Sequence, residues 1–133
     1  MDAKRLAIGT VVGAIALYLT GYVIFDMLFG GFYEGNMVTD VSRESNIAWA
    51  LGVGSVLYAL LITLAVESRG EGNRIVNGAI AGAVVGFLLW GTVDFTLYAI
   101  NNVTNLTIAI VDPFLEGVHA ALAGAAIGAI PKR

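Results

Sequence analysis

The stretch Val76–Ile130, VNGAIAGAVVGFLLWGTVDFTLYAINNVTNLTIAIVDPFLEGVHAALAGAAIGAI, decides the fold. It holds two apolar runs, Val76 to Ile100 and Leu106 to Ile130, parted only by the polar segment Asn101–Asn105. Each run reaches the roughly 20 residues that cross a bilayer as a helix. Neither alternates as a membrane strand does, and so short a chain closes no barrel. The turn between them is tight, so the two helices are antiparallel neighbours.

Working outward, two further apolar runs precede this hairpin, from about Leu6 to Phe29 and from Asn46 to Val66. The expected fold is therefore all-α: a four-helix transmembrane bundle forming a single integral membrane domain over residues 1–133, with helices at about 6–29, 46–66, 76–100 and 106–130. Composition agrees. The 133 residues are 58% hydrophobic and 13% charged, with mean hydropathy +0.83, whereas soluble domains carry about 25% charged residues. A net charge of −3 with scattered cations argues against nucleic acid as a partner. The chain has no cysteine, which removes disulfides, thiolate metal sites and cysteine nucleophiles.

The cations set the expected orientation. Lys4, Arg5, Arg69, Arg74, Lys132 and Arg133 fall on one side of four spans and only Arg43 on the other. The positive-inside rule then places both termini in the cytoplasm. The start, Met1 to Arg5, looks like the charged region of a signal peptide, but the apolar run after it is too long and lacks a cleavage pattern. It is read as a retained first span. The expected location is the cell inner membrane or plasma membrane, multi-pass.

Small residues recur at helical spacing: Gly9 and Gly13; Gly78, Gly82 and Gly86; Gly124 and Gly128. Such ridges let helix backbones approach closely, within the bundle or against a partner chain. In the first loop, Phe32 and Tyr33 suit an interfacial aromatic anchor. Asn102-Val-Thr104 and Asn105-Leu-Thr107 match glycosylation sequons, but their closeness to the membrane speaks against use.

The chemistry lies in an intramembrane polar cluster: Asp26, Asp94, Thr96, Asp112, Glu116 and His119. An aspartate at membrane depth costs about 2.5–3.5 kcal/mol, so such groups face a bundle interior or a cavity. Asp112, Glu116 and His119 are spaced i, i+4 and i+7, on one helix face. The hairpin lets Asp94 meet Asp112. One reading is structural, with carboxyls as interhelical hydrogen-bonding groups and Asp112-Pro113 as a helix-entry or kink device. A second is a proton or cation site on the paired acids. A third uses Glu116-Gly-Val-His119, an E-x-x-H pair of the di-iron type, although such bundles need two pairs and this chain has one histidine. A fourth makes His119 the axial ligand of a haem or chlorophyll, with small residues around it leaving room for the ring. There is no P-loop, dinucleotide fingerprint or nucleophile motif.

The segment Val93-Asp94-Phe95-Thr96-Leu97-Tyr98-Ala99, the short turn, and Leu106 to Asp112 resemble the signature of a family of small bacterial four-helix integral membrane proteins (domain of unknown function 2177), with likeness to domain of unknown function 1761. Gly21 to Asp26, followed by Phe32-Tyr33, is similar to the first helix of both. Where that family has Asn after the Asp-x-Thr triplet this chain has Leu97, and where it has Trp-Gly after the second Asp this chain has Leu115-Glu116. The resemblance supports Asp94, Thr96 and Asp112 and implies a membrane fold without implying an activity.

The expected function is that of a small non-enzymatic membrane protein, an accessory or scaffold subunit of a larger complex. Its partners would be the bilayer and other membrane subunits or further copies of itself. The alternatives are a proton- or cation-coupled transporter using the paired aspartates and a tetrapyrrole-binding subunit. No cofactor is expected, tetrapyrrole or metal at His119 being the exception.

Overall fold

A computed structural model describes residues 2–131. Met1, Lys132 and Arg133 lie outside the described residues, and with them the last two cations of the orientation argument. The described chain is an all-helical bundle: α1 (Ala3–Gly21) continuing as a π-helical segment (Tyr22–Leu28), α2 (Gly30–Asn36), α3 (Ala48–Glu67), α4 (Arg74–Ile100) and α5 (Leu106–Gly128). Four membrane-length apolar spans result, at Ala3–Leu28, Ala48–Glu67, Arg74–Ile100 and Leu106–Gly128. The protein is thus a four-helix transmembrane bundle, a multi-pass membrane protein.

Short polar side chains start the helices. Asp2 accepts from the Lys4 amide, Asn73 from those of Ile75 and Val76, and Asn105 from that of Ile108. Each satisfies an amide that the first helical turn leaves without a partner. Asn105 also donates to Asn36 Oδ1 at 2.9 Å. It is the cap of α5, so Asp112-Pro113 is not a helix entry: it sits inside the continuous helix. Gly72 turns the α3–α4 loop with φ of +126°, which a side chain would strain.

The α4–α5 pair is the closest in the bundle, and glycine explains it. Gly78 lies against Gly124, Gly82 against Ala120, Gly86 against the Glu116 backbone and Gly128 against Arg74. A Cβ on Gly82 would fall 2.7 Å from the Ala120 carbonyl carbon, and one on Gly78 2.9 Å from that of Gly124. The residue numbers climb by four on α4 as they fall by four on α5, an antiparallel ridge at helical spacing. Gly9 admits Thr63 and Ile127, and Gly13 admits Ala59 and Ile127. All seven glycines of the sequence-read ridges therefore serve packing within one chain.

The apolar core, Leu17, Ala59, Ile62, Val66, Ala81, Ala120, Ala123 and Ile127, fills the half of the bundle nearer the termini. An ion cluster closes that end. Arg5 grips Glu67 with two donors, each at 3.1 Å, Arg74 Nη2 reaches Glu67 at 2.8 Å, and Arg5 Nη1 donates to Pro131 O at 3.1 Å. Helices α1, α3 and α4 and Pro131, just after α5, meet there. At the other end, short α2 occupies part of the expected first loop. The segment after it is laced to the α4–α5 turn by Val38 N–H to Val103 O (3.1 Å) and Thr39 Oγ1 to Asn102 O (2.8 Å).

Candidate functional site

Buried ionisable side chains run from the loop end of the bundle down to the level of the apolar core, where His119 meets Leu17. Asp94, Asp112, Glu116 and His119 are all buried, at 8%, 7%, 7% and 8% exposure. Their depths follow from helix rise. Asp94 is six residues from the end of α4 and Asp112 six from the start of α5, so both lie about 9 Å below the loop-end surface at 1.5 Å per residue. Glu116, Tyr58 and Trp90 are each ten residues from their helix ends, at about 15 Å, and His119 is at about 20 Å. The groups form three steps descending into the bundle.

At the first step the carboxyls of Asp94 and Asp112 face one another across the hairpin. Asp112 accepts from the Tyr33 hydroxyl, and Asp94 Oδ2 is buried with no hydrogen-bond partner among the described residues. Tyr33 reaches Asp112 because the π-helical turn ends α1, with Phe29 N–H donating to Ile24 O five residues back, and α2 then folds over the bundle. Burial and the hydrogen bond to Asp112 push the Tyr33 hydroxyl far above its usual value, so it stays a donor. Tyr33 is therefore a polar cover over the acids at the loop end of the bundle.

At the second and third steps, Glu116 Oε2 lies 3.2 Å from His119 Nδ1, and His119 Nε2 donates to Leu17 O at 2.8 Å. A carbonyl only accepts, so Nε2 carries a hydrogen. The Glu116–Nδ1 contact then needs one further proton, held on either partner, and the pair is neutral as a whole in both cases. The ring is fixed by edge contacts with Phe25 (5.3 Å) and Tyr58 (6.4 Å). Gly21 lets it approach α1, since a Cβ there would sit 3.1 Å from Nε2. Tyr58 Oη stands near Glu116 and Trp90, yet among the described residues neither Tyr58 Oη nor Trp90 Nε1 completes a hydrogen bond.

Two of the expected members are elsewhere. Asp26, in the π-helical segment, is exposed and takes no part in the buried chain. Thr96 is exposed on α4, because two residues of helix turn it about 200° away from Asp94. Tyr33, Tyr58 and Trp90 are the polar groups that sequence reading missed. Only Trp90 had a signal, its i, i+4 spacing from Asp94, which puts both on one face.

Among the described residues, no three His, Asp or Glu side chains are gathered as a metal ion requires. The E-x-x-H pair spends itself on its own contact. Both ring nitrogens of His119 are engaged, so an axial bond to a tetrapyrrole would have to displace Glu116 or Leu17 O. The open cavities of the bundle include one lined by His119, but neither aspartate lines it.

No family model matches the chain, and neither a curated protein nor a solved structure matches it. The site's chemistry thus rests on its own geometry.

Proposed function

We propose that this chain is a small membrane protein, without catalysis of its own, that holds and passes protons in one half of the bilayer. The termini and the α3–α4 loop would face the cytoplasm and the acids the outer leaflet of a cell membrane. One observation carries the reading: Asp112, Asp94, Glu116 and His119 form a buried descending series from the loop end to mid-bundle, with Tyr33 bonded to Asp112 at its top and Glu116 in contact with His119 at its foot. Charged groups so placed are expensive, and in membrane proteins they mark ion and proton paths. From the level of His119 toward the cytoplasmic end the path meets apolar core, a gate that the bundle must open for protons to cross. Access from outside would come from movement of Tyr33, whose removal uncovers Asp112.

The alternative is an accessory or scaffold role, suggested by the glycine ridges, which pack inside the bundle, and by the scarcity of soluble surface. Proton flux separates the two roles. Proteoliposomes with an entrapped pH dye, driven by a potassium diffusion potential, should acidify faster with the native chain than with Asp94→Asn/Asp112→Asn. Equal rates in both would make the carboxyls interhelical struts and overturn the proposal.

A further inference from the structure

A cavity of about 500 Å³ opens sideways from the bundle between α3 and α4. Its walls are largely aliphatic, Leu51, Leu57, Leu61 and Leu89 among them, and its polar members are Ser55, Tyr58, Trp90 and His119. Gly54 leaves the wall open, since a Cβ there would meet nothing within 4 Å. Among the described residues Tyr58 Oη and Trp90 Nε1 are buried and complete no hydrogen bond, although the two lie near one another and the hydroxyl lies near Glu116. A buried unpaired donor costs about 1–3 kcal/mol, so a site that keeps two of them side by side is complementary to an acceptor from outside the chain. Volume, apolar lining and a few convergent polar groups match a small-molecule site.

Depth selects the occupant. Both donors lie about 15 Å below the loop-end surface, which is the middle of a hydrocarbon core about 30 Å thick. Phospholipid ester carbonyls stay at the interface and do not reach that plane. A free, lipid-dissolved molecule bearing a carbonyl on a flat apolar ring does, and it enters through the lateral opening without crossing water. We infer that the α3–α4 groove is a binding site for a lipophilic ring carbonyl of the quinone class, its oxygen accepting from Tyr58 Oη and Trp90 Nε1. The groove and its donors carry this inference, and it holds whether or not the protein moves protons.

The test uses Trp90 as its own reporter. In the Trp49→Phe background, Trp90 is the remaining tryptophan; Trp49 is 74% exposed, so its replacement leaves the bundle intact. The protein in phosphatidylcholine nanodiscs is titrated with decylubiquinone. Expected are saturable quenching of Trp90, about fivefold weaker binding in Tyr58→Phe from loss of one hydrogen bond, and loss of the saturable component in Gly54→Phe, which fills the groove. Quenching that rises linearly with quinone and is identical in all three proteins is partitioning and overturns the inference. So does saturable quenching that Gly54→Phe leaves unchanged while its circular dichroism matches the parent.

Discussion

Replacing Gly82 by alanine tests the account of the bundle most directly. The new methyl would sit 2.7 Å from the Ala120 carbonyl carbon and 3.1 Å from Ala121 Cα, whereas carbon atoms pack at about 3.5–4.0 Å. Neither obstacle is a side chain that can swing aside, so α4 and α5 must separate by about 1 Å along their closest stretch. Overpacking of this kind costs about 1–3 kcal/mol, and backbone against backbone belongs at the upper end. Alanine returns up to about 1 kcal/mol of helix propensity, leaving a net loss of about 2 kcal/mol. Gly91→Ala is the matched control. On the same helix, its methyl meets Pro113 Cβ and Cγ at an ordinary 3.8 Å. There only the propensity gain remains, so that variant should be unchanged or more stable by up to about 1 kcal/mol. Unfolding in mixed micelles by added dodecyl sulfate, followed by far-ultraviolet circular dichroism, reads both. Equal stability of Gly82→Ala and Gly91→Ala would refute the glycine account of α4–α5 contact.

Two further outcomes use the same assay. Glu67→Gln leaves Arg5 and Arg74 facing one another without the carboxylate they share and should cost about 2 kcal/mol, the scale of a lost charge-assisted hydrogen bond. Glu71→Gln, at an exposed loop position, should cost nothing measurable, and equal losses in both would deny the cluster its role. Asn105→Ala removes the cap of α5 and the bond to Asn36. About 1–2 kcal/mol should go with it, together with faster hydrogen exchange at the Ile108 amide, and unchanged exchange there would contradict the capping geometry.

The spans, the tight hairpin and the meeting of Asp94 with Asp112 were legible in the sequence because each depends on hydropathy, loop length or depth along one helix. What depends on direction around a helix was only partly legible. Asp112, Glu116 and His119 share a face by spacing alone, and by the same arithmetic Thr96 points away from Asp94. Asp26 was assigned by depth, which says nothing about azimuth. The partners of the glycine ridges required the α4–α5 register, which no single helix contains. Tyr33 and Tyr58 carry no local signal: an aromatic near a membrane surface or in mid-span reads as lipid contact until the neighbouring helix is in place. The π-helical turn that brings α2 over the acids has no residue signature of its own, since no proline lies in Tyr22–Leu28.

The uneven burial of the helices bears on how the protein is made. Half of the α5 span is buried (50%), against 22% for each of the other three, and it is the least hydrophobic of the four. It is also the last to leave the ribosome. A nascent α5 carries Asp112, Glu116 and His119 toward the lipid alone, at a cost its own side chains do not cover, unless α4 is waiting with its glycine ridge exposed. Insertion of the second half is therefore a hairpin event. The short Asn101–Asn105 turn sets its timing by delivering α5 to α4 before the polar face has to meet lipid.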